Sequence, residues 1–119
     1  MTTASDLDDL HSLFASYTFR WQREHDIQNA IETILIAKDL EFVREDPLSP
    51  ADRPDFMVKR IAVEVKVDGS LSLLTRQIYR YVQNEAVDAV LVVTTRAIHR
   101  QIAKAIRGKP VRVLYLNPL

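Results

Sequence analysis

Between Ile61 and Asp68, large apolar residues alternate with small or charged ones, and this pattern constrains the fold more than any other part of the chain. A period of two residues predicts a β-strand that buries one of its faces. Glu64 and Lys66 then point together to the side that does not face the core. The strand therefore presents a carboxylate and an ammonium group side by side.

The segment before this strand is predicted to pair with it as an antiparallel hairpin. A two-residue turn at Lys59-Arg60 would place Asp55 opposite Glu64. The pairs between them would be Phe56–Val63, Met57–Ala62 and Val58–Ile61. This register is self-consistent because the large apolar residues of both strands share one face. Lys-Arg is, however, an unusual pair for a tight turn, so registers shifted by one or two residues are alternatives. Opposed side chains have Cβ atoms about 4.5–5.5 Å apart, and two carboxylates that close repel each other unless a cation lies between them.

The other hydrophobic patterns predict an α/β fold with a mixed central sheet flanked by helices. Helices are expected over about 6–17, 21–40, 71–85 and 97–107, and further strands over about 41–44, 89–93 and 111–116. Ser70 is expected to cap the third helix, and Gly108 and Pro110 to end the fourth. The 119 residues suit a single domain, with 1–20 as an N-terminal helix extension and 21–116 as an αβββαβ core.

Composition excludes several classes of protein. The chain has no cysteine, so disulfides and thiolate metal sites are ruled out, which fits a reducing compartment. With only two glycines it has no glycine-rich phosphate loop, which excludes nucleotide binding of the P-loop or Rossmann type. No apolar run approaches the roughly 18 residues of a membrane span, and the first residues do not resemble a signal peptide. We therefore expect a cytoplasmic protein without a membrane partner.

The charges are unevenly distributed, although the net charge is zero. Residues 1–50 carry four Lys/Arg and ten Asp/Glu, whereas residues 51–119 carry twelve and six. A neutral protein with one basic face can still bind a phosphate backbone. The distribution therefore allows a nucleic-acid partner, and an ordinary mixed surface is the alternative.

The sequence Pro54-Asp55, eight residues, then Glu64-Val65-Lys66 resembles the PD-(D/E)XK nuclease superfamily. The order of predicted elements over residues 21–116 is similar to the αβββαβ core of that restriction-endonuclease-like fold. The resemblance implies a Mg²⁺- or Mn²⁺-dependent deoxyribonuclease whose products carry a 5′-phosphate. Asp55, Glu64 and the Val65 carbonyl would bind the metal, and Lys66 would orient the attacking water or stabilise developing charge.

The resemblance also implies a role for a glutamate on the helix before the hairpin. Members of the superfamily often carry one there, close to the metal, and Glu32 in the apolar segment IETILIA is the matching position. Gln28 and Glu24 precede it by one and two turns on the same side of the helix. Glu32 is therefore predicted as a catalytic residue and a metal ligand, with an exposed polar stripe as the alternative.

Gln77 and Tyr81 lie four residues apart on the helix after Lys66, so they share one face. They resemble the Gln-X-X-X-Tyr element of the RecB-like and lambda-exonuclease-like branches, which helps to place the substrate strand. Arg76 and Arg80 form a second such pair that could neutralise phosphates. All four are predicted to bind the substrate; the alternative is a surface helix whose tyrosine packs on the core.

Three functions are compatible with these observations. The first is a small structure-specific or Holliday-junction-resolvase-like endonuclease acting on DNA, with RNA as an alternative substrate. The second is a RecB-like exonuclease, and the third is a nucleic-acid-binding subunit that has a nuclease fold but no activity. A homodimer is expected for an enzyme that must cut two strands. The candidate interface residues are Leu7, Leu10, Leu13, Phe14, Leu114 and Leu116, and the alternative is that they cover the sheet of a monomer.

Overall fold

The hairpin predicted from the alternating pattern is the organising element of the sheet. Strands β2 (Phe56–Val58) and β3 (Ile61–Lys66) are antiparallel and pair in the expected register, with Phe56 opposite Val63. The turn between them has two residues, and Lys59 takes a positive φ of 55° there, a conformation that is uncommon for residues other than glycine. The predicted register is confirmed.

A six-stranded mixed sheet forms around this hairpin in the computed structural model, which describes residues 4–117. The other elements, in chain order, are α1 (Ala4–Ala15), α2 (Glu24–Ala37), β1 (Phe42–Arg44), α3 (Leu71–Val82), β4 (Ala89–Thr94), a 3₁₀ turn (Ala97–Gln101), β5 (Ala105–Ile106) and β6 (Lys109–Tyr115). The spatial order is β1-β2-β3-β4-β6-β5, with β3, β4 and β6 parallel to one another and the outer neighbours antiparallel. The predicted α/β class with a mixed, helix-flanked sheet is confirmed.

Helices α1 and α2 cover one face of the sheet. The apolar sides of these helices pack against the residues of β2, β3 and β4 that point to the same face of the sheet. Together they form one hydrophobic cluster, which includes Phe14, Ile27, Ile31, Leu35, Phe56, Val63, Val65, Leu91 and Val93. Helix α1 also lies over β6, where it covers Leu114 and Leu116. The N-terminal helix is thus part of the core that stabilises the sheet.

Helix α3 covers the opposite face together with the 3₁₀ turn. A second cluster forms there from Met57, Ala62, Leu74, Ile78, Val82, Val90, Val92, Ile102 and Val111. Strand β3 was expected to bury only one face, and this expectation is wrong. Ala62 is fully buried and Glu64 is only 4% exposed, because α3 packs on the side that the alternation assigned to solvent. Ser70 begins α3 as predicted, with its hydroxyl accepting the Leu73 N–H at 3.1 Å.

The fourth helix predicted over residues 97–107 does not form, and the chain makes a short 3₁₀ turn followed by a hairpin of β5 and β6. Arg107 and Gly108 both have positive φ in the two-residue loop, which ends any helix and pairs Ile106 with Lys109. Buried His99 anchors the 3₁₀ turn through both ring nitrogens. Its Nδ1 lies 2.7 Å from Thr94 Oγ1, and its Nε2 lies 2.9 Å from the Gly69 carbonyl oxygen. Strand pairing at the sheet edge therefore replaces the helix.

The surfaces proposed for a dimer interface are used within the chain. Leu7, Leu10 and Phe14 are the buried side chains of α1, and they share one cluster with Leu114 of β6 and with Leu116, which follows β6. Leu13 is partly buried against the same cluster. The prediction that these side chains are available to a second copy is wrong, because they already cover the sheet. Within residues 4–117 no helix has the length and apolar character that a bilayer crossing requires.

Candidate functional site

The carboxyl end of β3 brings Asp55, Glu64 and Lys66 together. Asp55 Oδ2 accepts the Val65 N–H at 2.7 Å, and the Asp55 N–H lies 3.4 Å from Glu64 Oε1. Lys66 Nζ lies 3.3 Å from Glu64 Oε2. The three residues named by the hairpin register therefore form one polar cluster at the point where the β2–β3 ladder ends.

Pro54 explains why the ladder stops there. Extending the observed register by two residues puts Pro54 opposite Val65, and proline has no N–H to donate. The Val65 N–H binds the Asp55 carboxylate instead, and the Val65 carbonyl, which points to the same side of the strand, cannot receive a ladder hydrogen bond from Pro54. The Pro-Asp pair thus leaves a main-chain oxygen beside two carboxylates.

Helix α3 contributes two side chains that bind Glu64 directly. The Tyr81 hydroxyl donates to Glu64 Oε1 at 2.9 Å, and Gln77 Nε2 donates to Glu64 Oε2 at 3.1 Å. Gln77 Nε2 also lies 3.0 Å from the Tyr81 hydroxyl oxygen, which links the two donors. Burial, followed by the negative charge of Glu64, raises the pKa of Tyr81, so its hydroxyl stays a proton donor. Both residues were predicted to bind the substrate, and in the chain alone they bind the Glu64 carboxylate.

The two carboxyls have raised pKa values. Burial is the main cause at Glu64, and the nearby Asp55 charge adds to it, while Lys66 and the Tyr81 hydroxyl oppose the shift. Burial is again the main cause at Asp55, where the Val65 N–H opposes it. Holding two negative charges in this site is therefore unfavourable for the chain alone, and a bound cation would relieve that cost.

On α2, the charge of Glu24 and the side-chain amide of Gln28 both influence Asp55. The Asp26 carboxylate accepts the N–H groups of Gln22 (2.8 Å) and Arg23 (3.0 Å), which starts the helix so that Glu24 lies in its first turn. The charge of Glu24 raises the pKa of Asp55, and the Gln28 side-chain amide lowers it.

Glu32, predicted for this role, pairs instead with Arg44 of β1, with 2.7 Å between its Oε1 and Arg44 Nη1. Arg44 also binds Asn29 Oδ1 at 3.0 Å. The sequence signal for Glu24 was its place on the same helical stripe as Glu32, two turns earlier.

The two predicted phosphate-binding arginines differ in their surroundings. Arg76 is exposed on the outer side of α3, and no salt bridge within residues 4–117 involves it. Arg80 forms a salt bridge with Asp52, with 2.9 Å between Nε and Oδ1. That pair fastens the loop before Pro54 to the helix, so Arg80 is partly neutralised in the chain alone.

The donor set suits a hard divalent cation. Mg²⁺ is commonly bound by one or two protein carboxylates, with water and substrate phosphate completing the shell. Asp55, Glu64 and the Val65 carbonyl supply such oxygens, and the repulsion between the carboxylates favours a cation between them. Within residues 4–117, however, no group of three or more histidine, cysteine or carboxylate side chains is arranged to hold a metal ion. Any metal here would thus depend on two carboxylates and on oxygens from outside the side chains.

Comparison with known proteins identified no relative of this chain. No family model, no curated protein and no solved structure matches the chain. The chain is an α/β protein with a mixed sheet, in which buried Glu64 and half-buried Asp55 lie close together and Lys66 contacts Glu64. The chemistry of that cluster is the best guide to its function.

Proposed function

We propose that the chain is a metal-dependent nuclease of the PD-(D/E)XK type that hydrolyses phosphodiester bonds in DNA. The observation that carries the proposal is the close pair of carboxylates, half-buried Asp55 and buried Glu64, with raised pKa values and with Lys66 beside Glu64 at one end of the sheet. Clustered groups with shifted pKa values are typical of catalytic sites. The spacing of the three residues in the sequence supports the same interpretation.

Each residue of the cluster has a distinct role in this proposal. Asp55 and Glu64 would hold a Mg²⁺ or Mn²⁺ ion together with the Val65 carbonyl oxygen. Such an ion would supply Lewis-acid chemistry, which activates water and stabilises charge on a scissile phosphate. Lys66 donates hydrogen bonds to the attacking water or to the phosphate oxygens, because its ammonium group lies on the Glu64 side of the strand.

The helices support this centre from two sides. Gln77 and Tyr81 hold the Glu64 carboxylate in one orientation through their hydrogen bonds, and in this proposal they act on the substrate through Glu64. Glu24 takes the place predicted for Glu32, since its charge reaches Asp55 whereas Glu32 is paired with Arg44. Residues that orient metal ligands matter nearly as much as the ligands.

A small structure-specific or resolvase-like endonuclease is the form that we favour. Gln77 and Tyr81 resemble an element of RecB-like exonucleases, but their contacts with Glu64 would serve an endonuclease equally well. Cutting two strands from one site per chain requires a second copy, so a homodimer belongs to this proposal. Its interface must be formed by side chains other than those beneath α1.

A non-catalytic nucleic-acid-binding domain is a second candidate. It is supported by the three side-chain donors that already surround the Glu64 carboxylate, namely those of Tyr81, Gln77 and Lys66. It is also supported by the presence of only two carboxylates in the site, since no group of three or more potential side-chain ligands occurs within residues 4–117. In that case the network is a structural device that compensates a buried charge. The two candidates make opposite predictions about turnover.

The deciding experiment is a cleavage assay with purified chain on junction, flap, duplex and single-stranded DNA, and on an RNA strand. Activity should require Mg²⁺ or Mn²⁺ and disappear with EDTA. Glu41→Gln, at an exposed carboxylate on the segment before β1, is the matched control for carboxylate variants. Absence of metal-dependent cleavage on every substrate would reject the nuclease and leave the binding domain.

A further inference from the structure

The segment that was expected to be a helix carries an unusual row of cations. Residues 96–107, RAIHRQIAKAIR, contain four basic residues and no acidic one. All four basic residues are exposed, whereas His99 and Ile102, which lie between them in the sequence, are buried. The exposed cations, which we call the cationic strip, are Arg96, Arg100, Lys104 and Arg107.

The cationic strip is not neutralised by the part of the chain that the structure describes. None of its four residues takes part in a salt bridge there. Other basic residues of the C-terminal half behave differently, since Arg80 pairs with Asp52 and Arg112 pairs with Asp8. The strip therefore concentrates positive charge that remains available to an anionic partner.

Two tyrosine rings lie beneath the arginines of the strip. The Arg100 guanidinium carbon is 4.6 Å from the centre of the Tyr115 ring, and that of Arg107 is 5.9 Å from the centre of Tyr79. Tyr79 is 44% exposed on α3. Alternating cations and partly open aromatic rings are the combination that binds single strands, because phosphates meet the charges and bases stack on the rings.

The strip begins beside the candidate active site. His99 binds Thr94 and the Gly69 carbonyl, and Thr94 pairs with Lys66 across the parallel strands β3 and β4. The start of the strip is thus fastened to the sheet edge that carries the carboxylate pair. Its other end lies in the turn between β5 and β6, so the strip crosses the α3 side of the sheet away from that edge.

We propose that the cationic strip, with Tyr79 and Tyr115, binds a single-stranded nucleic acid and leads it to the edge of the sheet that carries Asp55 and Glu64. This inference rests on the proposed function for the class of its ligand. The commitment to a single strand comes from the two rings, since a duplex keeps its bases stacked inside and would use only the charges.

The first test measures binding in EDTA, so that cleavage plays no part. Fluorescence anisotropy compares a labelled single strand with the duplex of the same sequence, for the triple variant Arg100→Gln, Lys104→Gln and Arg107→Gln. Arg96 is kept because it follows β4 close to the site. The triple variant should bind the single strand at least about ten-fold more weakly, and its slope of log affinity against log salt should fall by about two, because each contact with a single strand contributes roughly 0.7.

A matched triple variant removes the same charge elsewhere. Arg20, Lys38 and Lys59 are exposed and lie outside the strip, so their replacement by Gln should leave affinity and salt slope nearly unchanged. Equal losses in the two triple variants would reduce the effect to overall charge and overturn the proposal. So would an unchanged salt slope in the strip variant.

The tyrosines decide between a single strand and a duplex. Tyr79→Ala should weaken single-strand binding by about five-fold or more and leave duplex binding unchanged, since stacking uses unpaired bases. Tyr17→Ala is the control, because Tyr17 is 40% exposed and lies outside the strip, two residues after α1. Equal weakening of both ligands, or of neither, rejects the single-strand assignment. Binding through the strip without any metal-dependent cleavage would keep the strip and reject the nuclease.

Discussion

The two faces of the sheet are both buried, but they are built for different purposes. The face beneath α1 and α2 is filled by apolar side chains such as Phe14, Ile31 and Phe56. The face beneath α3 is apolar around a polar centre, where Glu64 is almost fully buried and is bound by Tyr81 and Gln77. The face beneath α1 and α2 supplies stability, whereas the face beneath α3 holds the Glu64 carboxylate in a buried position, where a negative charge is costly.

The difference shows what the polar centre requires from the rest of the fold. A buried carboxylate is tolerated when hydrogen-bond donors surround it. It destabilises the fold by the part of its desolvation cost that these hydrogen bonds do not offset. Within residues 4–117 no buried side-chain polar atom lacks a hydrogen-bond partner. The α3 face is thus fully hydrogen-bonded yet electrostatically strained, and the apolar face must offset that strain.

The largest expected effect is the loss of cleavage when the polar centre is neutralised. Glu64→Gln and Asp55→Asn should each reduce turnover by at least about 10³-fold, the upper range for one preorganised electrostatic group. The fold should remain intact, because removing one of two repelling charges lowers the strain. Cleavage assays combined with circular dichroism check both parts. Normal turnover in either variant would remove that carboxylate from the mechanism.

The matching change on the apolar face should affect stability instead of chemistry. Phe14→Ala leaves a cavity beneath α1 and should lower the free energy of unfolding by about 3–5 kcal/mol. Urea titration measures the loss, with Tyr17→Ala, at an exposed aromatic residue two positions after α1, as the control. Activity per folded molecule should be unchanged. A change in turnover at constant folded fraction would show that the two faces are coupled.

Lys66 tests whether the polar centre acts through charge or only through binding. Lys66→Ala should lower turnover by about 10²–10³-fold, the scale for losing one charge-stabilising group, with little change in nucleic-acid affinity measured in EDTA. Lys59→Ala, at the exposed hairpin turn, serves as the control. If affinity collapses while the remaining turnover is normal, Lys66 is an anchor for the substrate backbone and has no part in the chemistry.

The strain on the α3 face should also appear as a pH dependence of stability in the metal-free protein. The folded-state pKa values of Asp55 and Glu64 lie above their unfolded values, near 4. Their stabilising contribution is therefore complete below about pH 4 and is lost as the pH rises through the folded pKa values.

From about pH 5 to about pH 8, wild type should lose roughly 2–3 kcal/mol more than Glu64→Gln, because burial raises the pKa of Glu64 to about 7 in the folded protein. Urea titrations of both proteins across this range measure the difference. A saturating concentration of Mg²⁺ should reduce it, since a bound cation favours the charged forms. Parallel curves for the two proteins would refute the burial cost assigned to Glu64.

The smallest expected effect distinguishes two carboxylates on one helix. Glu24→Gln should reduce turnover by about ten-fold, the lower range for a residue that supports a metal site, because its charge reaches Asp55. Glu32→Gln should leave turnover nearly unchanged and cost at most about 1 kcal/mol of stability through the lost pair with Arg44. The reverse order of effects would restore Glu32 to the site.

Local patterns were sufficient for the hairpin and for the centre of the site. The register of β2 and β3 follows from alternation, since a slip by one residue would turn every apolar side chain away from the core. The proximity of Asp55 to Glu64 follows from that register, and Ser70 could be read as a cap from its own side chain. Helical spacing placed Gln77 and Tyr81 on one side of α3, but it could not show that both bind the Glu64 carboxylate.

Tertiary packing decided the rest. Strand β3 is buried on both faces because α3 covers the side left open by the alternating pattern, and the axial position of α2 against the sheet brings Glu24, not Glu32, towards Asp55. Residues 97–107 have a helical pattern, yet β6 pairs with Ala105–Ile106 at its open edge and the helix is lost. Local spacing was enough to predict which residues pair over a few positions, because that spacing depends on backbone geometry. The contacts between helices and sheet could not be predicted in this way, because they depend on how distant elements share the burial of the same apolar area.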